Sequence, residues 1–487
     1  MYKSSLFETL KSFSKQEIKE FGLLINSPFF NTNQSVVKLF SRIAILYPEF
    51  DENKSDKRLL FTKAFGTTAY DDSFMRMTVF RLFELAKEFL IYKNLQRNSL
   101  NKETLLLDEL NSRELNDLMM KSISKLEKNI EKQKNKEAWT YFAKYRLEYF
   151  KNEVKSRDTK MITHKDTLGK DLMLEQKNLN TFFFINSLKF FQYFLNQKNF
   201  VVNAKGNPDF MMIILDYLKV NSGYLSVPVL KVYFYMTLML ITGDDKYFFE
   251  LKRILFEDRS DISYYEKFNL IATLRNYAQQ KYNDGDVNFK SSVIDILKFS
   301  IAKNLLTAAE GGKYISEMRF MNIIWAGIQS EDLVWTEEFI REFIHKTEPD
   351  KRQYILAYGI ACLEFEKGNY SAALEILSKS GSIKNVYFKA AIKQLTLMIY
   401  YELNWHVQAT DLLDAYRHFI NADKLLPEIY ITRCNSFINC YNSLLRLNDN
   451  KGNCSFELSE LITELNSTSQ KWLLKKALEL EMKMSDS

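Results

Sequence analysis

Apolar positions recur at helical spacing along most of this chain, and short polar breaks separate the runs. Ser14-Lys15-Gln16-Glu17 has the spacing of a capping box, in which Ser14 accepts from an orphan amide and Glu17 reaches back. Ile18, Phe21, Leu24 and Ile25 follow on one face, and Ser27-Pro28 ends the run because a residue before proline leaves the α region. Val36, Val37, Phe40, Ile43 and Ala44 start a second helix that stops at Tyr47-Pro48. Further helices are predicted over Lys57 to Phe65 and over Ser73 to Tyr92, and the polar stretch Asn94 to Thr104 reads as a boundary. Residues 1–98 thus read as a small helical N-terminal unit, and 105–205 as a long helical hairpin followed by an aromatic-rich helix.

In that hairpin, Met119, Ile123, Leu126 and Ile130 form one apolar seam, and Ala138, Phe142, Tyr145 and Tyr149 form another. From Thr181 to Leu195, Phe184, Leu188, Phe191 and Leu195 make a seam that Phe183, Phe190 and Phe194 widen, which predicts burial by several neighbours. Asn207-Pro208-Asp209 reads as a helix start, with Asn as cap and Pro in the first turn. The most apolar run, Val232 to Ile241, is far short of the roughly 20 residues of a membrane span and predicts a buried helix.

From there to the end, residues 207–487 read as repeated helix hairpins. Polar breaks fall at Thr242-Gly243-Asp244, Gln329-Ser330-Glu331, Lys367-Gly368-Asn369 and Leu403-Asn404-Trp405. The last three place Trp335, Tyr370 and His406 at separations of 35 and 36 residues. A near-constant period of this size marks two-helix units that must stack to bury their apolar faces. The expected fold class is therefore all-α, an α-solenoid of stacked antiparallel hairpins behind the N-terminal unit.

Composition agrees with this. Of 487 residues, 46% are hydrophobic and 26% charged, and only 14 Gly and 6 Pro occur, too few for the turns of a large β protein. Between Lys121 and Lys177 stand 15 Lys/Arg against 9 Asp/Glu, an excess equal to the whole net charge of +6. Lys121, Lys125, Lys128, Lys132 and Lys136 form a stripe there, read first as a solvated helix face softened by Glu127 and Glu131. Four cysteines, Cys362, Cys434, Cys440 and Cys454, lack zinc-like spacing and read as reduced thiols. The N-terminus has no apolar signal region, so a soluble, cytoplasmic protein with no membrane association is expected.

No motif points to catalysis, a cofactor or a metal. His164, His345, His406 and His418 are the only histidines and form no adjacent helical pair. Gly311-Gly312-Lys313 lacks the upstream glycine of a phosphate loop, and Tyr314 stands where Ser or Thr would hold magnesium.

The segment Tyr354 to Lys379 resembles a tetratricopeptide (TPR) repeat. Ala361 occupies the small position of the first helix, Gly368-Asn369-Tyr370 the turn and its packing aromatic, and Ala373 and Leu377 the second helix. The next unit, offset by 36, keeps Ala409 and Leu413 but has Asn404 for the glycine and His406 for the aromatic, and Glu364 replaces a usual aromatic. The whole chain is similar to uncharacterised bacterial helical-repeat proteins. The resemblance implies a concave partner-binding face formed by Tyr358, Cys362 and Phe365, then Gln394, Met398 and Tyr401. These side chains are not the Lys, Arg and Asn of a carboxylate clamp, so an apolar or aromatic ligand is implied. The expected function is a non-enzymatic protein–protein interaction or scaffold module binding a protein or peptide. The second reading is a nucleic-acid-associated regulator, using Arg76 and Arg81 of the N-terminal helices and the Lys121–Lys136 stripe.

Overall fold

The computed structural model describes residues 4–66, 69–157, 165–197, 208–257, 262–307, 310–422, 426–449, 455–466 and 470–485. Among them no strand occurs, and helices follow one another through short turns. The chain divides into two compact units: Met1–Gln133 with Phe142–Asn178, and Lys134–Tyr141 with Leu179–Ser487.

The first unit begins with α1 (Ser5–Lys11), α2 (Lys15–Asn26), α3 (Gln34–Ala44), α4 (Lys57–Phe65) and α5 (Asp72–Arg97). The capping box at Ser14 forms as expected, with Glu17 N–H donating to Ser14 Oγ at 3.2 Å and Ser14 N–H to the Glu17 carboxylate at 2.9 Å. Phe13, Phe21, Phe40 and Phe89 make a chain of ring contacts at the centre of this bundle. Lys93 and Arg97 of α5 pair with Glu20 and Glu17 of α2, fixing the register of the two helices. The polar stretch from Asn94 is helical: α5 runs on to Arg97, Asn98 accepts from the Asn101 amide, and α6 (Ser99–Ser112) begins at once. An Asn cap thus lets one helix follow another where polarity alone reads as a break.

Helix α7 (Asn116–Glu131) buries its expected seam of Met119, Ile123, Leu126 and Ile130. In α8 (Ala138–Arg157) the buried face differs from the expected one. Ala143, Leu147 and Phe150 carry it, whereas Phe142, Tyr145 and Tyr149 are half-buried. An aromatic helix offers two nearly equivalent stripes, and the core shared with α6 and α7 selects one. The division between the units falls within α8 and within α9 (Lys165–Gln197).

The second unit continues with α10 (Pro208–Val220), α11 (Pro228–Thr242), α12 (Asp245–Phe256), α13 (Tyr264–Asn283), α14 (Phe289–Ala302), α15 (Glu317–Gln329) and α16 (Leu333–Phe343). It ends with α17 (Arg352–Glu366), α18 (Tyr370–Ser378), α19 (Val386–Glu402), α20 (His406–Ala422), α21 (Glu428–Asp449), α22 (Ser455–Asn466) and α23 (Lys471–Ser485). From α11 onward each helix packs on the next, and α11 also meets α13, α15 meets α17, and α17 meets α19. This is the all-α, solenoid-like helical-repeat fold. The run Val232 to Ile241 lies in α11, with Val232, Met236 and Met239 fully buried. No helix among the described residues is long and apolar enough to cross a membrane. The proposed cap Asn207 lies outside the described residues, as do His164 and Cys454.

The hairpins share a turn. At α15–α16, α17–α18 and α19–α20, Glu331, Gly368 and Asn404 adopt positive φ of 62°, 81° and 57°. The amide after each donates to the carbonyl five residues back: Asp332 to Gly327, Asn369 to Glu364, Trp405 to Tyr400. That is the Schellman closure, which satisfies the last carbonyls of the first helix. The same turn occurs at Gly285 between α13 and α14, a repeat boundary that the four expected breaks do not include.

Glycine is also required inside the helices. A Cβ on Gly327 would strike the Thr336 hydroxyl of α16, and one on Gly359 would lie 2.9 Å from Ile340 and 3.0 Å from Ile324. The close approach of α17 to the preceding hairpin therefore rests on Gly359. Ala361, the expected small position, is fully buried two residues away.

Candidate functional site

The six residues expected on a concave face are buried to different degrees. Tyr358, Cys362 and Phe365 are buried, and Gln394, Met398 and Tyr401 are half-buried. Tyr358 is wholly enclosed, and its hydroxyl accepts from Trp325 Nε1 at 2.6 Å. Burial pushes the Cys362 thiol up to about 12, so it stays protonated and unreactive at neutral pH.

What covers the outer part of this face is the chain's own last helix. Trp472, in the first turn of α23, lies 6.4 Å from the Phe365 ring, 5.4 Å from Tyr401 and 6.2 Å from Tyr441, ring centre to ring centre. It packs, as Met398 does, against both apolar cores of this unit: the one running from the start of α8 to α19 and the one running from α19 to α23. Polar contacts hold it there. Trp472 Nε1 donates to Glu402 Oε1 at 3.0 Å, and Lys476 Nζ reaches the same oxygen at 3.0 Å. Lys471 stands over the Tyr282 ring at 3.3 Å. Cations here meet the C-terminal ends of α13 and α19, where the helix dipoles are negative. Phe365 and Tyr401 thus meet an aromatic side chain of the same chain. Spacing among residues 354–401 carried no signal of it, because that side chain lies far along the chain.

The other chemical candidates find structural roles. Tyr370 meets Phe365 at 5.4 Å. One repeat later, His406 Nδ1 lies 2.5 Å from Asp449 Oδ1, joining α20 to α21. His345 and His418 are exposed. Gly311-Gly312-Lys313 forms a turn that ends before α15, and Ser316 caps that helix. Cys362, Cys434 and Cys440 are free thiols. Among the described residues no group of three His, Cys, Asp or Glu side chains is arranged to hold a metal.

A surface that the spacing argument read as interior is open. On α9, Phe184, Leu188 and Phe191 are buried, but Leu179, Phe183, Phe190 and Tyr193 are exposed, Phe190 by 60%. On α10, Phe210, Ile213, Tyr217 and Val220 recur at helical spacing and are exposed as well, Ile213 by 63%. Phe183 meets Phe210 at 6.2 Å and Phe184 meets Tyr217 at 5.5 Å, so the two helices present one aromatic face. One side of α9 is packed against this unit's core; among the described residues Phe183, Phe190 and Tyr193 on its other side remain exposed.

In the basic stretch, Lys125 pairs with Glu103 at 2.5 Å, and Glu127 is taken by Lys151 at 2.8 Å. Lys136 lies beyond the end of α7, and Arg76 pairs with Asp72 at 3.1 Å.

No protein-family model, no curated protein and no solved structure matches this chain.

Proposed function

We propose that this chain is a non-enzymatic protein–protein interaction module of the cytoplasm, whose partner lays an amphipathic helix along the exposed face of α9 and α10. The observation that carries this reading is that face itself. Phe210, Ile213, Tyr217 and Val220 form a straight apolar seam beside the rings of Phe183 and Phe190. Contiguous exposed apolar surface of this kind marks interaction sites, and two parallel seams suit the helix-in-groove mode. A tetratricopeptide-type architecture over Tyr354 to Ile420 is supported by the full burial of Ala361, Ala373 and Ala409 at the small positions of their helices. The nucleic-acid reading draws less support, since Lys125 and Arg76 are already paired with carboxylates.

The test is affinity capture followed by mass spectrometry, with the unaltered chain and a Phe190→Asp, Ile213→Asp variant as baits. Both positions are exposed, so the variant should keep its melting transition within about 0.5 kcal/mol of the original. A partner captured in stoichiometric amount by the first bait and lost by the second supports the reading. Equal capture by both removes it.

A further inference from the structure

Between α13, α14 and α15 lies a cavity of about 160 Å³. Arg275, Arg319 and Asn322 line it, with Ser300 and the apolar walls of Leu297 and Ile323. Two guanidinium groups therefore share a small enclosure with no carboxylate in its lining. Among the described residues neither is paired with an acid. The Arg275 side chain donates to Asn276 Oδ1 at 2.6 Å, and the Arg319 guanidinium lies over the Phe268 ring at 4.2 Å. Elsewhere in this unit, Arg253 is held by Glu250 and Glu257, and Arg417 by Asp414.

Enclosing like charges without a counter-charge is costly, and the cost is offset when an anion enters. Burial, and after it the neighbouring Arg275 charge, draws Arg319 down to about 10, which still leaves it positive at neutral pH. Ser300 Oγ donates to the Ile296 carbonyl at 2.8 Å, so the free neutral donor in the lining is the Asn322 amide, which makes no hydrogen bond among the described residues. Two forked cations and one amide donor match the oxygens of a doubly charged tetrahedral anion. The cavity is well below the ~300–1,000 Å³ of drug-sized sites, which limits the occupant to a small group.

We infer that the Arg275–Arg319 cavity is a binding site for a phosphate group, either the free ion or the phosphoryl group of a phosphate monoester. The site is separate from the aromatic face of α9 and α10, and its test is independent of any partner.

The test is titration of the full chain with inorganic phosphate and, in a parallel arm, with O-phosphoserine, at ionic strength held constant with chloride. Calorimetry should give saturable binding in at least one arm, and the melting temperature should rise with the same midpoint. Binding in the first arm identifies a free ion, and binding in the second alone identifies a phosphorylated ligand. Arg275→Gln and Arg319→Gln should each weaken binding at least tenfold. In the absence of phosphate each should melt no lower than the original chain, because the repulsion is relieved. Asn322→Leu, which leaves both charges in place, should weaken binding severalfold. No saturable binding in either arm overturns the inference, as does a phosphate response that all three variants retain.

Discussion

Five hairpin turns of the second unit need a left-handed residue, and glycine fills three of them, at Gly243, Gly285 and Gly368. Glu331 and Asn404 fill the others at the cost that an L side chain bears there. Asn404 is exposed, so Asn404→Gly should raise stability by about 0.5 kcal/mol, and Gly368→Ala should lower it by about 1 kcal/mol. Shifts in the urea midpoint measure both. Gly327→Ala is a steric change of a different order. The new methyl meets the Thr336 hydroxyl, which is itself bonded to the Asp332 carbonyl at 2.7 Å, and the expected loss is about 3 kcal/mol. Features decided within one helical turn were legible in the sequence: the Ser14 box, the α7 seam and four of the five left-handed positions, as breaks around Gly243, Glu331, Gly368 and Asn404. The exposure of Phe183 and Phe190 was not, because spacing gives the width of an apolar stripe and not the number of neighbours that cover it. The same holds for Gly359 beside Ala361: only the positions of α15 and α16 show which small residue takes the contact.

At the scale of elements, α23 is held by the ion pair of Lys476 with Glu402, whose side chains are 13% and 11% exposed. Lys476→Met leaves that carboxylate with the Trp472 N–H alone and should cost about 3 kcal/mol. Burial acts to lower the Lys476 ammonium, and its hydrogen bonds to Glu479 and Glu402 outweigh this, so its pKa stands above the ordinary lysine value of 10.5. A raised lysine stabilises the folded state fully below its unfolded pKa and loses that contribution as pH rises through the folded one. The packing of α23 should therefore hold through neutral and mildly alkaline pH and loosen in the strongly alkaline range. Tryptophan emission should shift to the red there, and Lys476→Met should remove that transition. A second buried contact ties α9 to α11 and α13: Glu266 accepts from Lys189 and from the Tyr233 hydroxyl. Glu266→Gln leaves Lys189 without its counter-charge and should lower stability by about 3 kcal/mol, read from the same urea transition. Neither pairing has a sequence signature, since the partners lie on helices far apart in the chain.

For the whole molecule, the described helices form two units, and the functional surface proposed for the second is its α9–α10 face. Of the positions that a repeat protein would offer to a partner, Phe365 and Tyr401 are packed by Trp472 of the same chain. Hydrogen–deuterium exchange on the chain with its captured partner tests this most directly. Protection is predicted in peptides covering 179–197 and 208–220, with exchange in 471–485 unchanged. Protection over 354–365 and 394–401, accompanied by faster exchange in 471–485, would mean that the partner displaces α23, and would contradict the account.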